Sequence, residues 1–435
     1  MPGTAVIGLQ WGDEAKGKIV DILTNQHDIV VRYQGGANAG HTVVVGGKRY
    51  KLSLIPSGIF HPHVQCVITG GVVLHPDTLL KEIDTLHTQG IAVGKNLMIS
   101  DRAHIIFPWH RIEDILFDKI GNSEPIGTTM RGIGPCYRDK VGRSFAVRLS
   151  DLYHSGLKMR IGNIIDAKNR MLGGLINDVD KSFDIPGLDA EFNVDRIHAE
   201  YAEYAERLRP YVADTTDYLL NAVDDDQRIL FEGAQGSLLD IDHGTFPYVT
   251  SSNSSGAGIP SGSGLPSRFV SKMVGVVKAY TTRVGGGPCP SEQANDIGQK
   301  IRERGNEYGT VTKRPRRCGW FDAVAVRYSA RLSGVDALAL TLLDVLSTFE
   351  TIPICTAYEL NGQHIHSFPG SSEDLRHVTP VYETMPGWSE DISGIRNFHD
   401  LPVNAQNYAK RITELVGKPI EFISVGPDRK QTILV

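Results

Sequence analysis

V-I-G-L-Q-W-G-D-E-A-K-G-K, Val6 to Lys18, is the stretch that decides the fold. Thr4 to Gln10 predict a buried strand and Gly17 onward a helix, so a glycine-rich turn falls at the C-terminal end of the first strand. In open α/β sheets ligands bind there. Gly12 and the Gly17-Lys18 pair have the spacing of a phosphate-binding loop, in which backbone N–H groups and a helix N-terminus surround an anion and the lysine reaches the outer phosphates. A Walker A loop follows its lysine with Ser or Thr to hold Mg²⁺, whereas here the next residue is Ile19. A metal carried by a triphosphate must find a hard oxygen elsewhere, and Asp13 is the nearest. A buried acid facing a bound anion reads either as a metal ligand or as a base. The plainer alternative is a strand-to-helix turn rich in Gly and Lys.

Length, composition and charge narrow the possibilities. At 435 residues the chain is long enough for about two or three domains. No Pro-rich linker, charge block or repeat divides it, which favours one α/β domain over 1–435 with a helical insertion at roughly 151–225. A net charge of −5 gives no general attraction for nucleic acid or membrane. Cys66, Cys136, Cys289, Cys318 and Cys355 are odd in number and contain no C-x-x-C pair, which argues against a disulfide framework and a zinc site. No signal-peptide pattern opens the chain, and no apolar run approaches the ~18 residues of a membrane span. A soluble, cytoplasmic protein is expected.

Further along, Ile29 to Tyr33 lead into Q-G-G-A-N-A-G-H-T, Gln34 to Thr42. If both strands are parallel, both loops lie on one sheet edge, and His41 and Asp13 can face one ligand. A histidine beside a phosphate can act as a general acid toward a leaving oxygen; otherwise it is a solvated loop residue. Strand-like runs recur at Gln65 to Thr69, Leu97 to Ser100, Arg228 to Phe231, Lys272 to Ala279, Ala337 to Leu343 and Ile420 to Ser424. Helical periodicity falls at Pro76 to Gln89, Pro108 to Ile120, Phe321 to Leu332 and Val403 to Leu415. This interleaving predicts a large, mostly parallel central sheet with flanking helices. Leu157 to Asp180 and Phe192 to Val223 predict long helices, the second bent at Pro210.

Several other segments suit anions or bases. I-G-T-T-M-R-G-I-G-P, Ile126 to Pro135, combines glycines, hydroxyls and an arginine. Phe231 to Asn253 begins at a strand end and carries Gln235 and Thr250; the Ser/Gly-rich run after it reads either as a linker or as a nucleotide-covering loop. Gly309 to Trp320 holds the main basic cluster, a candidate nucleic-acid patch, although arginines in an ordered loop favour bidentate recognition of small anions. Leu343-Asp344-Val345 ends an apolar run on a carboxylate, which is either a helix cap or a receptor for the N1–H and 2-amino donors of guanine.

Together these loops resemble the adenylosuccinate synthetase family from Gly8 to Arg429. The resemblance is carried by Q-W-G-D-E-A-K-G-K, N-A-G-H-T, I-P-S-G-I at Ile55 to Ile59, G-T-T-M-R-G-I-G-P, F-E-G-A-Q-G, D-I-D-H-G-T-F-P-Y-V-T-S-S-N and R-P-R-R-C-G-W. It implies GTP-dependent ligation of IMP and L-aspartate through a 6-phosphoryl intermediate. By that similarity Asp13 is the base and a ligand of one Mg²⁺ per subunit together with the carbonyl of Gly40; His41 and Gln235 complete the catalytic set. Gly12, Asp13, Glu14, Ala15, Lys16, Gly17, Lys18, Gly40, His41, Thr42 and Arg316 would lie along GTP, with Leu342, Leu343, Asp344, Ser424, Val425 and Gly426 at its base. Asp13, Lys16, Asn38, Ala39, Gly40, His41, Thr129, Gln235, Thr250 and Arg314 would hold IMP, with Arg143 reaching across a homodimer. Thr310, Val311, Thr312, Lys313, Arg314 and Arg316 would take the aspartate.

Four positions depart from the family pattern. Ala15, Met130 and Lys313 replace glycines, and Ala15 is therefore expected at negative φ. Leu342 replaces a common lysine near the guanine. The competing readings are a regulatory GTPase without ligase activity, a nucleic-acid-binding protein, and a family variant acting on a 2-aminopurine nucleotide, against which the presence of Asp13 argues.

Overall fold

The computed structural model describes residues 3–45, 47–120, 126–176, 192–309 and 314–435. Its first strand, Gly3–Gly8, sits inside a ten-stranded sheet, between Ile229–Glu232 on one side and Val270–Lys278 on the other. The first of these continues through Ile29–Arg32, Gln65–Ile68 and Leu97–Ser100 to Val212–Ala213, and the second through Ala337–Thr341 and Ile420–Ser424 to Thr432–Leu434. Every pairing is parallel except the last, between Ile420–Ser424 and Thr432–Leu434.

The apolar runs explain this sheet. Ala5, Ile7 and Leu9 enter one cluster with Phe231 and Leu340, while Val6 enters another with Ile19 and Val20 of the helix Lys16–Thr24. Alternate side chains thus bury both faces, as parallel sheets require. Because the first two strands run parallel to the one between them, their loops emerge on one edge, as expected. The helices Pro76–Thr88, Pro108–Ile120, Ala323–Leu332 and Val403–Val416 also lie where periodicity placed them.

The long helix expected over Phe192 to Val223 is not continuous. It is two helices, Val194–Leu208 and Thr215–Asp224, separated by a 3₁₀ turn and Val212–Ala213. Pro210 cannot donate into the ladder, and Asp214 caps the second helix by accepting from the N–H groups of Thr216 and Asp217. The segment between them is free to join the main sheet beside Leu97–Ser100, so the helical insertion also carries an edge strand. Its helix from Leu157 is described to Ile176, and the expected remainder to Asp180 lies outside the described residues.

Three antiparallel units were not anticipated. One is the hairpin of His41–Val45 with Lys48–Leu52, one pairs Thr281–Arg283 with Arg317–Gly319, and the third pairs Phe349–Leu360 with Gln363–Ile365 and Thr379–Trp388. Pro353, Pro380 and Pro386 interrupt the strand pattern there, which argues against a strand until the pairing geometry is known.

Candidate active site

The C-terminal strand ends enclose a cavity of about 1040 Å³. Of the residues singled out in the sequence, Gly12, Asp13, Ala15, Lys16, Gly17, Lys18, Asn38, Ala39, Gly40, His41, Thr42, Thr129, Gln235, Thr250, Arg316, Leu342, Asp344, Ser424 and Gly426 line it. Glu14, Leu343 and Val425 do not; all three are fully buried beneath the walls. Arg314 and Arg143 also fall outside the lining. Thr310, Val311, Thr312 and Lys313 lie outside the described residues.

The loop after the first strand is folded around Glu14. That carboxylate accepts from the N–H groups of Gln10 (3.1 Å) and Gly12 (2.8 Å) and pairs with Lys16 Nζ (2.6 Å). A Cβ at residue 8 would stand 2.3 Å from Glu14 Oε2, so only glycine admits this packing. Asp13 was expected to be buried and is not. Its side chain is 33% exposed, and Glu14 is the buried acid. The expectation for Ala15 fails as well: its φ is +63°, beside Asp13 at +60° and Gly12 at +86°. These left-handed residues turn the chain sharply enough to bring the helix N-terminus against the strand end. Gln235 and Leu342, both at +55°, repeat this at the ends of other strands. Left-handed non-glycine residues clustered around one cavity mark strain held by surrounding structure.

Lys18 is tied across the sheet. Its Nζ donates to Ser424 Oγ (2.7 Å) and to the carbonyls of Gly426 (2.7 Å) and Gln431 (2.9 Å). Burial lowers its pKa to about 8, with Asp344 and Asp428 partly offsetting the loss.

His41 begins the hairpin strand and directs Nδ1 at Glu232. Glu232 is fully buried and also accepts from Ser57 N (2.7 Å) and Ser57 Oγ (2.9 Å), with Arg32 at 3.7 Å. Burial opposes charge on Glu232, yet His41, Arg32 and Ser57 outweigh it and hold the carboxyl below its usual range. Burial also lowers the imidazole of His41 against the pull of Glu232. An ionised acceptor at Nδ1 keeps the ring proton there and directs Nε2 away from it.

Arg316 bridges two carboxylates, with Nε 2.8 Å from Asp13 and NH1 on Glu307, while Arg317 pairs with Glu292. Carboxylates of the chain itself thus engage two arginines of the basic cluster.

Three cavity residues behave differently. Asp344 Oδ1, Arg316 Nε and both amide atoms of Gln235 are buried without a hydrogen-bond partner among the described residues, although Arg316 Nε stands within ion-pair distance of Asp13. Burial raises the Asp344 pKa, partly countered by Lys18 and Arg304. An unpaired buried acceptor is costly unless a ligand satisfies it. Also on the cavity lining, Asn38 Nδ2 reaches Thr250 Oγ1 at 3.4 Å.

Sequence reasoning missed Glu232 and Glu307. Glu232 ends an apolar strand on a carboxylate, the same signal that singled out Asp344. Glu307 follows a helix end with no periodic or motif signal.

A model of the family described as adenylosuccinate synthetase matches residues 5–433. The chain belongs to the adenylosuccinate synthetase family. It is 51% identical over 437 residues to the adenylosuccinate synthetase of Caldanaerobacter subterraneus subsp. tengcongensis, covering 100% of this chain and 99% of that protein. It is 50% identical to that of Myxococcus xanthus, with the same coverage. Among solved structures, the fully ligated adenylosuccinate synthetase from Plasmodium falciparum superposes with a TM-score of 0.92 at 38% identity over 100% of both chains. The succinoaminodeoxyadenylate synthetase of cyanophage S-2L covers 100% of this chain and 95% of its own, with a TM-score of 0.61 at 19% identity, and shares the fold.

Proposed function

We propose that this chain joins IMP to L-aspartate at the expense of GTP, releasing adenylosuccinate, GDP and phosphate through a 6-phosphoryl intermediate. The reading is carried by one observation beside family membership: Asp13, His41 and the unpaired oxygen of Asp344 all line one cavity. A phosphoryl transfer is mostly positioning and electrostatics, which pre-set groups on several strand ends supply.

In the proposed assignment Asp13 takes the proton from N1 of IMP, so O6 becomes nucleophilic toward the γ-phosphorus. Nε2 of His41 faces the β-phosphate oxygen as it departs, and Gln235 orients the reacting purine. The amine of aspartate then attacks C6, and phosphate leaves. Asn38, Thr129 and Thr250 hold the IMP phosphate side, Arg314 and Arg316 serve the carboxylates, and Asp344 with Ser424 reads guanine. Asp13 and the carbonyl of Gly40 fit a Mg²⁺: Asp13 is a partly exposed carboxylate on the cavity wall, and this ion binds through one or two carboxylates plus substrate phosphates. Bound there, it neutralises phosphoryl charge. A dedicated cage is not needed, and among the described residues no group of three or more His, Cys, Asp or Glu side chains gathers to form one.

Arg143 ends the helix Ile133–Gly142, exposed and outside this chain's cavity. Exposed Val141 lies two residues before it. These features support a homodimer in which Arg143 completes the neighbouring site. Mixing R143L with D13N subunits restores activity if sites are shared and does not if they are separate. Five buried free thiols suit a reducing cytoplasm, and no helix among the described residues is long and apolar enough to cross a membrane.

The deciding experiment is phosphate release with GTP and Mg²⁺, omitting IMP and aspartate in turn, while following purine absorbance. Release that requires all three substrates supports the ligase. Release from GTP alone favours a regulatory GTPase, and turnover with a guanine monophosphate in place of IMP favours the 2-aminopurine variant.

A further inference from the structure

We propose that Glu307 is a positioning residue that holds the guanidinium of Arg316 on Asp13. The inference rests on the catalytic reading of Asp13 and adds a residue that reading does not contain. Glu307 follows the helix Asp296–Arg304 and is 1% exposed. One carboxylate oxygen accepts from Lys278 Nζ at 2.8 Å and from the hydroxyl of Tyr280; the other takes NH1 of Arg316. The backbone repeats the tie, because Arg316 N donates to the carbonyl of Glu307 at 2.9 Å. Arg302 Nε donates to the carbonyl of Arg316 at 2.8 Å and fixes the same residue from behind. A Cβ at residue 305 would stand 2.4 Å from the Tyr280 hydroxyl and 3.0 Å from Glu307 Cγ, so the packing leaves Glu307 little room to turn.

The consequence is a chain of four alternating charges, Lys278, Glu307, Arg316 and Asp13. Three of them are buried or nearly so, and the fourth opens onto the cavity. Arg316 is anchored by NH1 on the buried carboxylate of Glu307, and its Nε stands 2.8 Å from Asp13 as an ion pair without a hydrogen bond between them. With NH1 fixed, the guanidinium faces Asp13 through Nε alone, near one of its two carboxylate oxygens, and Asp13 remains on the cavity wall. Without Glu307 the guanidinium can rotate to take both Asp13 oxygens, the bidentate geometry arginine prefers, and would compete with the substrate for the base.

The test compares wild type, E307Q, and the double variant K278M/E307Q, each with and without R316L, by three-substrate turnover and by thermal melting. The double variant is needed because E307Q alone leaves Lys278 as a buried unpaired cation and can fail to fold. Removing a partner that orients a reacting group typically costs about 10- to 100-fold in activity, and that loss is expected in kcat/KM for K278M/E307Q. In the R316L background the same change is expected to cost under about twofold, since residues that act through one another do not add. Equal losses in both backgrounds, or unchanged turnover in a folded K278M/E307Q, would overturn the positioning role while leaving the ligase intact. A wild-type protein that fails to turn over overturns the functional reading and this role with it.

Discussion

The two ends of the cavity are built on opposite electrostatic plans. At the end proposed for the phosphates the charged side chains already have protein partners: Lys16 with Glu14, His41 with Glu232, and Arg316 with Asp13 and Glu307, while Lys18, tied to the Ser424 to Gln431 turn, spans both ends. At the side proposed to read guanine, Asp344 Oδ1 is buried without a hydrogen-bond partner among the described residues. Pairing fixes geometry in advance, which is what a charge-transfer step needs. An unpaired buried acceptor selects, because a ligand without the matching donor leaves its cost in place. The contrast predicts that substitutions at the paired end chiefly lower kcat, whereas those at the unpaired side chiefly alter which nucleotide binds.

The largest effect is expected at Asp13. Asp13→Asn keeps the shape and removes the base, and should lower kcat by roughly 10²- to 10⁴-fold, the usual worth of a positioned proton acceptor. Steady-state turnover of the folded variant checks this, and near-normal kcat would remove Asp13 from the mechanism. On the unpaired side, Asp344→Asn exchanges an acceptor for a donor. Loss of a charge-assisted hydrogen bond predicts a rise of about 10- to 100-fold in KM for GTP with a smaller change in kcat. A triphosphate with a carbonyl in place of the 2-amino group should lose less or gain. If kcat falls and nucleotide preference stays fixed, the two sides do not differ in the way proposed.

Lys18 joins the two ends and supplies a pH test. Its pKa is lowered to about 8, so its charge is present below that value and is lost above it. The KM for GTP should therefore rise above pH 8, by up to about tenfold per pH unit if the charged form alone binds. Lys18→Arg should flatten that rise, because guanidinium stays charged. A KM profile that is identical in both proteins would assign the pH dependence elsewhere.

What could be read in advance follows the same division. The sheet was legible because its strands are short apolar runs separated by helical periodicity, and the phosphate loop because Gly12, Gly17 and Lys18 have a spacing that one geometry explains. Asp344 was legible as a carboxylate at the end of an apolar strand. The partners that hold the site were harder to see. Glu232 acts on His41 across 191 residues, a pairing set by strand order, while Glu307 acts on Arg316 across 9 residues through a loop closure at the Tyr308–Pro315 bridge that carries no periodic pattern. Val212–Ala213 was missed for the same reason, since a two-residue strand exists only because its neighbour Leu97–Ser100 offers an open edge.

Ala15 tests whether the strain of the paired end serves its geometry or is merely tolerated. Its φ of +63° costs an L-residue with a Cβ about 1–2 kcal/mol, which glycine avoids, while glycine adds about 0.4–1 kcal/mol of unfolded-state entropy to be lost on folding. The balance predicts that Ala15→Gly stabilises the fold by about 0–1.6 kcal/mol, read as a higher urea midpoint at unchanged m. Because the Glu14 carboxylate already holds Gln10 and Gly12 by their N–H groups, the loop should keep its shape, and kcat should stay near wild type. A stabilised variant that loses turnover would mean that the Ala15 methyl group, exposed on the cavity wall, itself shapes the phosphate end.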